Sequence, residues 1–194
     1  MVYERNYEYL AERLIQRLNA TELEQVARAY EVAEAAHAGQ VRDEGTPYIL
    51  HPIRVAVSLV DELDVYSPKL ICSALMHDVI EDSPTTREEI AAMFDEEIAE
   101  IVWLLTKLES VTLPNYLAAI EAAAHTGAPI VKLCDRLDNL RFLTQSPKVE
   151  KIIRYIRTTE IFYIPMAART NAYLHEQLRR WLDEARRHVK AVNR

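Results

Sequence analysis

The sequence has little glycine: 3 of its 194 residues are Gly, and 8 are Pro. Because β-sandwiches and barrels need many turn residues, this composition argues against an all-β fold. No apolar run reaches the roughly 18 residues of a transmembrane helix, and the first residues lack the basic-then-apolar order of a signal peptide. Two cysteines, Cys72 and Cys134, are too few for a disulfide framework. We therefore expect a cytoplasmic protein without a membrane partner.

Positive charge is also scarce, since 23 Lys and Arg face 30 Asp and Glu for a formal net charge of -7. This balance argues against nonspecific nucleic-acid binding. Residues 1–140 carry 11 basic and 25 acidic side chains, whereas residues 141–194 carry 12 and 5. We interpret this asymmetry as a basic C-terminal helix docked on an acidic body, with a surface for a partner or polyanion as the alternative. The oligomeric state stays open.

Helical signals, by contrast, are abundant. Apolar residues recur at helical spacing between caps and stops, including capping boxes that begin at Thr21 and Thr86, an N-cap and Pro start at Ser67-Pro68, and a stop at Pro84. We expect Pro165 to kink or split the last helical stretch, which runs to about residue 190. The predicted helices before it are 3–18, 21–37, 52–63, 68–82, 86–94, 96–108, 113–126, 130–143 and 147–164.

Residues 39–52 are the one stretch rich in Gly and Pro, and we predict a long ordered loop there. No repeat, low-complexity segment or linker divides the chain. We therefore predict an all-α helical bundle that forms a single domain over residues 1–194. Its core is predicted at about 22–170 and its basic C-terminal helix at about 166–190.

Two apolar segments and the Gly- and Pro-rich loop lead into side chains that are costly to bury. Residues 71–76 lead into His77-Asp78, residues 131–134 lead into Asp135, and the loop ends at His51. A buried carboxylate needs a cation, a strong hydrogen-bond network or free helix-end amides. A metal ion would satisfy all of these groups, and two imidazoles with two carboxylates suit Mn²⁺, Fe²⁺ or Zn²⁺.

Two further carboxylates follow one helical turn later, Glu81 after His77 and Asp82 after Asp78. Beside a metal, a carboxylate that is not itself a ligand can orient a water molecule or move a proton. These residues are therefore the candidate catalytic groups.

Taken singly, each residue also has a structural explanation. A His-Asp dipeptide occurs often by chance, and Asp135 could be an ion-pair partner of Arg136 or Arg141. The remaining histidines, His37 among them, are interpreted as interface or surface residues. The combination of these residues indicates a functional site more strongly than any one of them does alone.

As a set, His51, His77-Asp78 and Asp135 resemble the HD-domain metal-dependent phosphohydrolases. More narrowly, the chain is similar to the (p)ppGpp hydrolase domain of the RelA/SpoT family and to the stand-alone small alarmone hydrolases. The similarity spans roughly residues 25–170 and implies an HD-domain helical bundle. It is carried by residues 37–42 and 45–52, 74–86, 105–108 and 131–141, with an echo at 163–167.

The resemblance implies a reaction and a site. Pyrophosphate would be removed from the 3′ position of (p)ppGpp, a small-molecule nucleotide, to give GDP or GTP. One Mn²⁺ ion, or another divalent transition metal, would be bound by His51, His77, Asp78 and Asp135. The catalytic carboxylates would be Glu81 and Asp82. The substrate-binding residues would be Arg42 for the guanine base, Asn139 for the nucleoside, and Tyr48, Lys132 and Arg141.

Three positions depart from the family's usual pattern: Asp43 where Lys is common, Asp138 where His is usual, and Phe142 where Thr is frequent. We expect them near the base and phosphate positions, and Asp43 would weaken polyphosphate binding if it pointed into the site. The sequence has no room for a synthetase domain, so the implied enzyme only hydrolyses.

Three functional hypotheses follow. The first is a Mn²⁺-dependent alarmone pyrophosphohydrolase. The second is an HD-type phosphohydrolase that acts on another nucleotide, which the three departures favour. The third is a catalytically silent nucleotide-binding regulator, against which the retained Glu81 and Asp82 argue. Product identity separates the first two, and turnover with metal separates both from the third.

Overall fold

The computed structural model describes residues 5–192, and α-helices account for most of them. Within that range no β-strand forms, although Val41 and Pro47 make an isolated antiparallel bridge. The all-α prediction is therefore confirmed. The helices are α1 (Tyr7–Leu14), α2 (Ala20–Ala36), α3 (Leu50–Leu63), α4 (Pro68–Met76), α5 (Val79–Asp82), α6 (Arg87–Met93), α7 (Glu96–Leu105), α8 (Leu113–Ala122), α9 (Ala128–Phe142), α10 (Val149–Thr158), α11 (Ile164–Thr170) and α12 (Ala172–Val192).

The first capping box lies two residues earlier than predicted. Asn19 caps α2, because its side chain accepts a hydrogen bond from the Glu22 amide while the Glu22 carboxylate accepts one from the Asn19 amide. Thr21 and Glu24 have the same spacing as Asn19 and Glu22, and asparagine is as strong a cap as threonine. The box at Thr86 forms as predicted and begins α6.

The predicted helix 68–82 is divided at His77-Asp78. Helix α4 ends at Met76, and the short helix α5 begins at Val79. Because a continuous helix turns successive side chains about 100° apart, a break here frees two adjacent side chains to face one point.

The C-terminal helix also begins later than predicted. A π turn at Thr159–Tyr163 follows α10, and Pro165 lies in the first turn of α11. Asn171 is extended and separates α11 from α12, so the basic helix starts at Ala172 rather than at about 166.

Helices α3, α4 and α9 form the centre of the molecule. Helix α4 packs against α2, α3 and α7, and α9 packs against α3, α4 and α12. Residues 51–60 and 70–77 are buried without interruption, so polar groups on these helices lie inside the bundle. Cys72 and Cys134 are both free and buried there. Between residues 5 and 192, no helix combines the length and apolar character needed to span a membrane.

Candidate metal centre and active site

The four predicted metal ligands meet inside the bundle. On α3, the Nε2 atom of His51 lies 3.2 Å from Oδ1 of Asp135 and 3.8 Å from Oδ2 of Asp78. The Nε2 atom of His77 lies 3.1 Å from the same oxygen of Asp78 and 3.8 Å from Oδ1 of Asp135. The ligand atoms of His51, His77 and Asp78 all lie within 4.8 Å of one another. The α4–α5 break and the packing of α3 on α9 together create this centre.

Both imidazoles are oriented by contacts on their far side. The Nδ1 atom of His77 lies 2.8 Å from the carbonyl oxygen of Ala74, and that of His51 lies 2.7 Å from Oδ2 of Asp138. Because Nδ1 faces an acceptor in each case, it carries the proton, and Nε2 directs a lone pair at the centre. The buried Nε2 of His77 has no hydrogen-bond partner among the residues described. An orphaned acceptor beside two carboxylates fits a divalent cation.

The electrostatics of the centre support the same fit. Although burial lowers the pKa of His77, the charge of Asp78 outweighs it and raises the pKa to about 9. Despite burial, His77 holds the pKa of Asp78 below its ordinary value, and Lys132 does the same for Asp135. Two ionised carboxylates in the interior need nearby positive charge. A divalent cation would supply that charge in place of a protonated imidazole.

Asp138 contacts His51 on the side of the imidazole that faces away from the centre. It is 1% exposed, and Arg54 donates two hydrogen bonds to its carboxylate, of 2.7 and 3.0 Å. The Arg54 guanidinium in turn lies 4.0 Å from the ring centroid of Phe142. Neither Asp138 nor Phe142 lines the cavity over the centre, although Phe142 lines a small adjoining pocket together with Arg42 and Asn139. The expectation that they lie near the base and phosphate positions stays a prediction.

A cavity of about 400 Å³ opens over the centre. Glu81 lies on its wall beside the metal-ligating groups and accepts a hydrogen bond from the backbone N–H of Lys107. Burial, aided by the charge of Asp78, raises the pKa of Glu81. Five positive side chains line the cavity beside four carboxylates, although acidic residues outnumber basic ones by seven in the whole chain, and this local excess of positive charge suits an anionic ligand. Its positive side chains are Arg42, Lys107, Lys132, Arg136 and Lys151.

Residues 29–172, which contain this centre and cavity, match the family described as HD domain. The chain belongs to the HD-domain family. Membership implies that the protein binds a divalent metal, and the His/Asp centre offers the ligands for it.

Relatives of the HD domain include large bacterial proteins. A guanosine-3′,5′-bis(diphosphate) 3′-pyrophosphohydrolase of Aquifex aeolicus (strain VF5) is 38% identical over 165 residues, which cover 81% of this chain and 23% of that protein. The bifunctional (p)ppGpp synthase/hydrolase SpoT of Escherichia coli (strain K12) is 35% identical over 158 residues, with coverages of 76% and 22%. This chain thus spans about a quarter of the length of the relatives it matches.

A solved structure is similar to this chain over nearly the whole length of the solved chain. It belongs to a metazoan ortholog of SpoT that hydrolyses ppGpp and plays a role in starvation responses. The TM-score is 0.72 at 25% sequence identity, and the match covers 82% of this chain and 94% of that one.

Asp82 is separated from the HD-domain centre. Its side chain is 36% exposed, lies outside the cavity, and approaches Nδ1 of His37 at 3.8 Å. His37 is not a surface residue: it is 3% exposed and stacks on the ring of Tyr48 at 4.6 Å. Of the two predicted catalytic carboxylates, the structure brings only Glu81 to the cavity.

Three predicted substrate-binding residues contact the carboxylates that are predicted to bind the metal. Lys132 lies 2.8 Å from Oδ2 of Asp135, and the Asn139 amide donates to Oδ1 of the same residue. The Tyr48 hydroxyl donates to Asp78 at 2.7 Å. The alternative that Asp135 pairs with Arg136 or Arg141 is therefore wrong, since its cation is Lys132.

Arg42 joins the loop to α9. Its guanidinium donates to Oδ1 of Asn139 at 2.8 Å and to Glu44 at 3.0 Å, and it lies 5.7 Å from the ring centroid of Tyr48. Arg42 therefore forms the part of the cavity wall beside Asn139.

Arg141 does not reach the cavity. Two of its nitrogens donate to the Glu62 carboxylate at 2.8 and 2.6 Å, and the Tyr173 hydroxyl donates to the same carboxylate at 2.8 Å. The prediction that Arg141 binds substrate is not supported by this position. Arg141 instead attaches α9 to α3 through Glu62, and Tyr173 attaches α12 to the same carboxylate.

Asp43 lines the cavity but is already neutralised. Its carboxylate accepts hydrogen bonds from Lys151 at 2.7 Å, Lys148 at 2.9 Å and Ser146 at 2.9 Å. These donors hold the pKa of Asp43 well below its ordinary value. The expected repulsion of a polyphosphate is therefore offset by two adjacent lysines.

Several residues of the site were missed from the sequence. Arg54 lies three residues after His51, a helical spacing that could have indicated a shared face. Lys107 and Arg136 lie in stretches 105–108 and 131–141, which carry the resemblance, but neither was predicted to line the cavity. Lys151 reaches the cavity from α10, and no local pattern links it to the predicted metal ligands.

Proposed function

We propose that this chain is a metal-dependent (p)ppGpp 3′-pyrophosphohydrolase, which converts ppGpp to GDP, or pppGpp to GTP, with release of pyrophosphate. The observation that carries the proposal is a buried centre of two His and two Asp beside Glu81, in a cavity with a cationic wall. Relatives over this region are named for that reaction. A nucleotide with phosphates at two positions matches a cavity that has both a metal centre and further cations.

His51, His77, Asp78 and Asp135 would hold the cation, and we propose Mn²⁺ because a mixed imidazole and carboxylate set suits it. When bound, the cation supplies Lewis acidity, which neutralises charge on phosphate oxygens and acidifies water. The chain fixes the direction of these ligands through Asp138, the Ala74 carbonyl and Tyr48.

Glu81 is the proposed proton-transfer group. It faces the cavity next to the centre, and burial raises its pKa, so it both accepts and returns a proton more readily near neutral pH than an exposed glutamate. Asp82 would act indirectly, by its charge beside His37 and Tyr48, because it lies outside the cavity.

Arg42, Asn139 and Lys132 would position the nucleotide. The planar guanidinium of Arg42 can stack on a purine base, and Asn139 beside it can meet the nucleoside. Lys132 lies against Asp135 and would approach the phosphate at the centre. The base and the reacting phosphate would then occupy neighbouring parts of one cavity.

The decisive experiment incubates the purified protein with ppGpp, with and without Mn²⁺, and separates the products by ion exchange. We expect GDP and pyrophosphate only when the metal is present. Faster turnover of another nucleotide would transfer the proposal to that substrate. Full metal loading with no turnover of any nucleotide would favour the silent regulator.

Variants test the ligand assignment. Asp135→Ala and His77→Ala should abolish metal binding and turnover together, since each removes a ligand atom at the centre. Glu121→Gln is the matched control, because Glu121 forms an ion pair with Arg169 outside the cavity. Full metal stoichiometry in either Ala variant would refute the assignment.

A further inference from the structure

Arg136 differs from Arg42, Lys132 and Lys151 on the cavity wall because no anion neutralises it. The residue is 7% exposed and lines the cavity. Its guanidinium carbon lies 3.8 Å from the ring centroid of Tyr163 and 4.5 Å from that of Tyr155. It forms no hydrogen bond or ion pair with any residue between 5 and 192, and its Nη1 atom is buried without a partner.

Three neighbouring cations each have a carboxylate within reach, and the fourth, Lys107, is only partly buried. Arg42 lies 3.0 Å from Glu44, Lys132 lies 2.8 Å from Asp135, and Lys151 lies 2.7 Å from Asp43. A buried guanidinium without such a partner is unfavourable, and two tyrosine faces compensate only a part of its lost hydration. The missing partner is therefore an anion that the described chain does not supply.

The surroundings hold Arg136 rigidly enough to act as a binding group. It projects from α9, while Tyr155 comes from α10 and Tyr163 from the π turn at Thr159–Tyr163. Such π turns are frequent at functional sites. A guanidinium that contacts two tyrosine rings still presents its N–H groups in one plane, which suits two oxygens of a phosphate.

We infer that Arg136 anchors a second phosphate subsite of the cavity, apart from the His/Asp centre. Its ligand is a phosphate or diphosphate group. That group has two sources under the proposed function, on which this inference rests: the 5′-phosphate chain of the nucleotide, or the pyrophosphate released from the 3′ position. The tyrosine pair fixes the direction of the guanidinium, and the anion completes its hydrogen bonding.

Binding measurements on the full chain distinguish the two sources. Isothermal titration calorimetry in metal-free buffer would compare wild type with Arg136→Met, using GDP, inorganic pyrophosphate and guanosine as probes. Loss of a charged hydrogen bond corresponds to roughly a 10- to 100-fold weaker affinity. If the 5′-phosphate chain is the ligand, Arg136→Met should lose affinity for GDP. If the released pyrophosphate is the ligand, the variant should lose affinity for pyrophosphate. The affinity for guanosine should be unchanged in both cases. Equal affinities of both proteins for all probes would overturn the inference.

Arg13→Met is the matched control. Arg13 also stacks on a tyrosine, 4.0 Å from the ring centroid of Tyr9, but it is paired with Asp61 and lies outside the cavity. It should leave every probe affinity unchanged. Arg136→Lys keeps the charge without the planar fork and should bind with intermediate affinity.

Thermal stability separates a binding role from a structural one. Replacing an unpaired buried cation by Met removes its desolvation cost and leaves an apolar side chain between two rings. Arg136→Met should therefore melt at the same or a higher temperature than wild type without ligand, and should lose the ligand-induced rise in melting temperature. A lower melting temperature of both Arg136 variants without ligand would indicate a structural role and refute the subsite.

The two proposals can fail separately. Arg136-dependent binding of GDP or pyrophosphate, without release of pyrophosphate from ppGpp, would keep the subsite and refute the proposed function. Hydrolysis of ppGpp with the same kcat/KM in wild type and Arg136→Met, together with equal probe affinities, would keep the function and refute the subsite.

Discussion

The Nδ1 atom of His51 lies 2.7 Å from a carboxylate oxygen of Asp138, which Arg54 holds from the other side with two hydrogen bonds. This arrangement fixes the protonated nitrogen of His51 away from the centre and its lone pair toward it. The residue that departs from the usual family pattern thus supports a proposed metal ligand. It does not contact the space in which a substrate would lie.

Asp138→Asn should weaken metal binding. The amide accepts the His51 hydrogen bond less strongly and leaves Arg54 without a full counter-charge, so metal affinity should fall about 10- to 100-fold. Equilibrium dialysis with Mn²⁺ measures this. Glu62→Gln is the control, since Glu62 is held by Arg141 in a similar paired contact outside the cavity. An unchanged affinity in Asp138→Asn would show that the contact does not tune the centre.

Glu81→Gln and Asp82→Asn should have unequal effects on turnover. Glu81 lines the cavity and is the proposed proton-transfer group, so its variant should keep the metal and lower kcat by about 100-fold or more. Asp82 lies outside, and its variant should lower kcat by less than about tenfold. Steady-state kinetics on metal-loaded enzyme decides this, and the reverse order would assign the proton transfer to Asp82.

Arg141→Met should change stability and not substrate binding. The variant leaves the carboxylate of Glu62, whose side chain is 11% exposed, without its cation and should cost about 2 kcal/mol in free energy of unfolding. Because Arg141 does not line the cavity, kcat/KM for ppGpp should stay within about twofold of wild type. Denaturant unfolding measures the loss of stability, and steady-state kinetics measures kcat/KM. A large rise in KM would show that Arg141 binds substrate.

Asp43→Asn should reveal a pH-dependent contribution to stability. Hydrogen bonds from Lys151, Lys148 and Ser146 hold the pKa of Asp43 below its ordinary value of about 3.9. A depressed pKa stabilises the folded state above the unfolded-state pKa, and the gain is lost as pH falls from about 4 toward the lower, folded-state value. The lysines are partly exposed, so the gain at pH 7 is about 1 kcal/mol or less.

Denaturant unfolding of wild type and Asp43→Asn at pH 7 and pH 3 measures this contribution. The difference between the two proteins should shrink at pH 3 and also at high salt, which screens exposed charges. A difference that is independent of pH would mean that the Asp43 contacts contribute through packing alone.

Much of the fold follows from local sequence. Apolar periodicity and the signals at Thr86 and Ser67-Pro68 are short-range features, and the two signals each mark a helix boundary in the structure. The errors have equally local causes. Two caps with the same spacing compete near Thr21, and neither the α4–α5 break at His77 nor the extended residue Asn171 interrupts the helical pattern of the sequence.

The sequence by itself determined the chemical types of the centre, because carboxylates that follow apolar segments need a cation, a hydrogen-bond network or free helix-end amides wherever those segments pack. Only the tertiary structure decided which polar groups share the cavity. It placed Arg141 against Glu62, Asp138 behind His51, and Arg136 between Tyr155 and Tyr163. The physical reason is that a side chain's partners depend on how α3, α9 and α10 pack, and residues far apart in sequence leave no periodic trace of that packing.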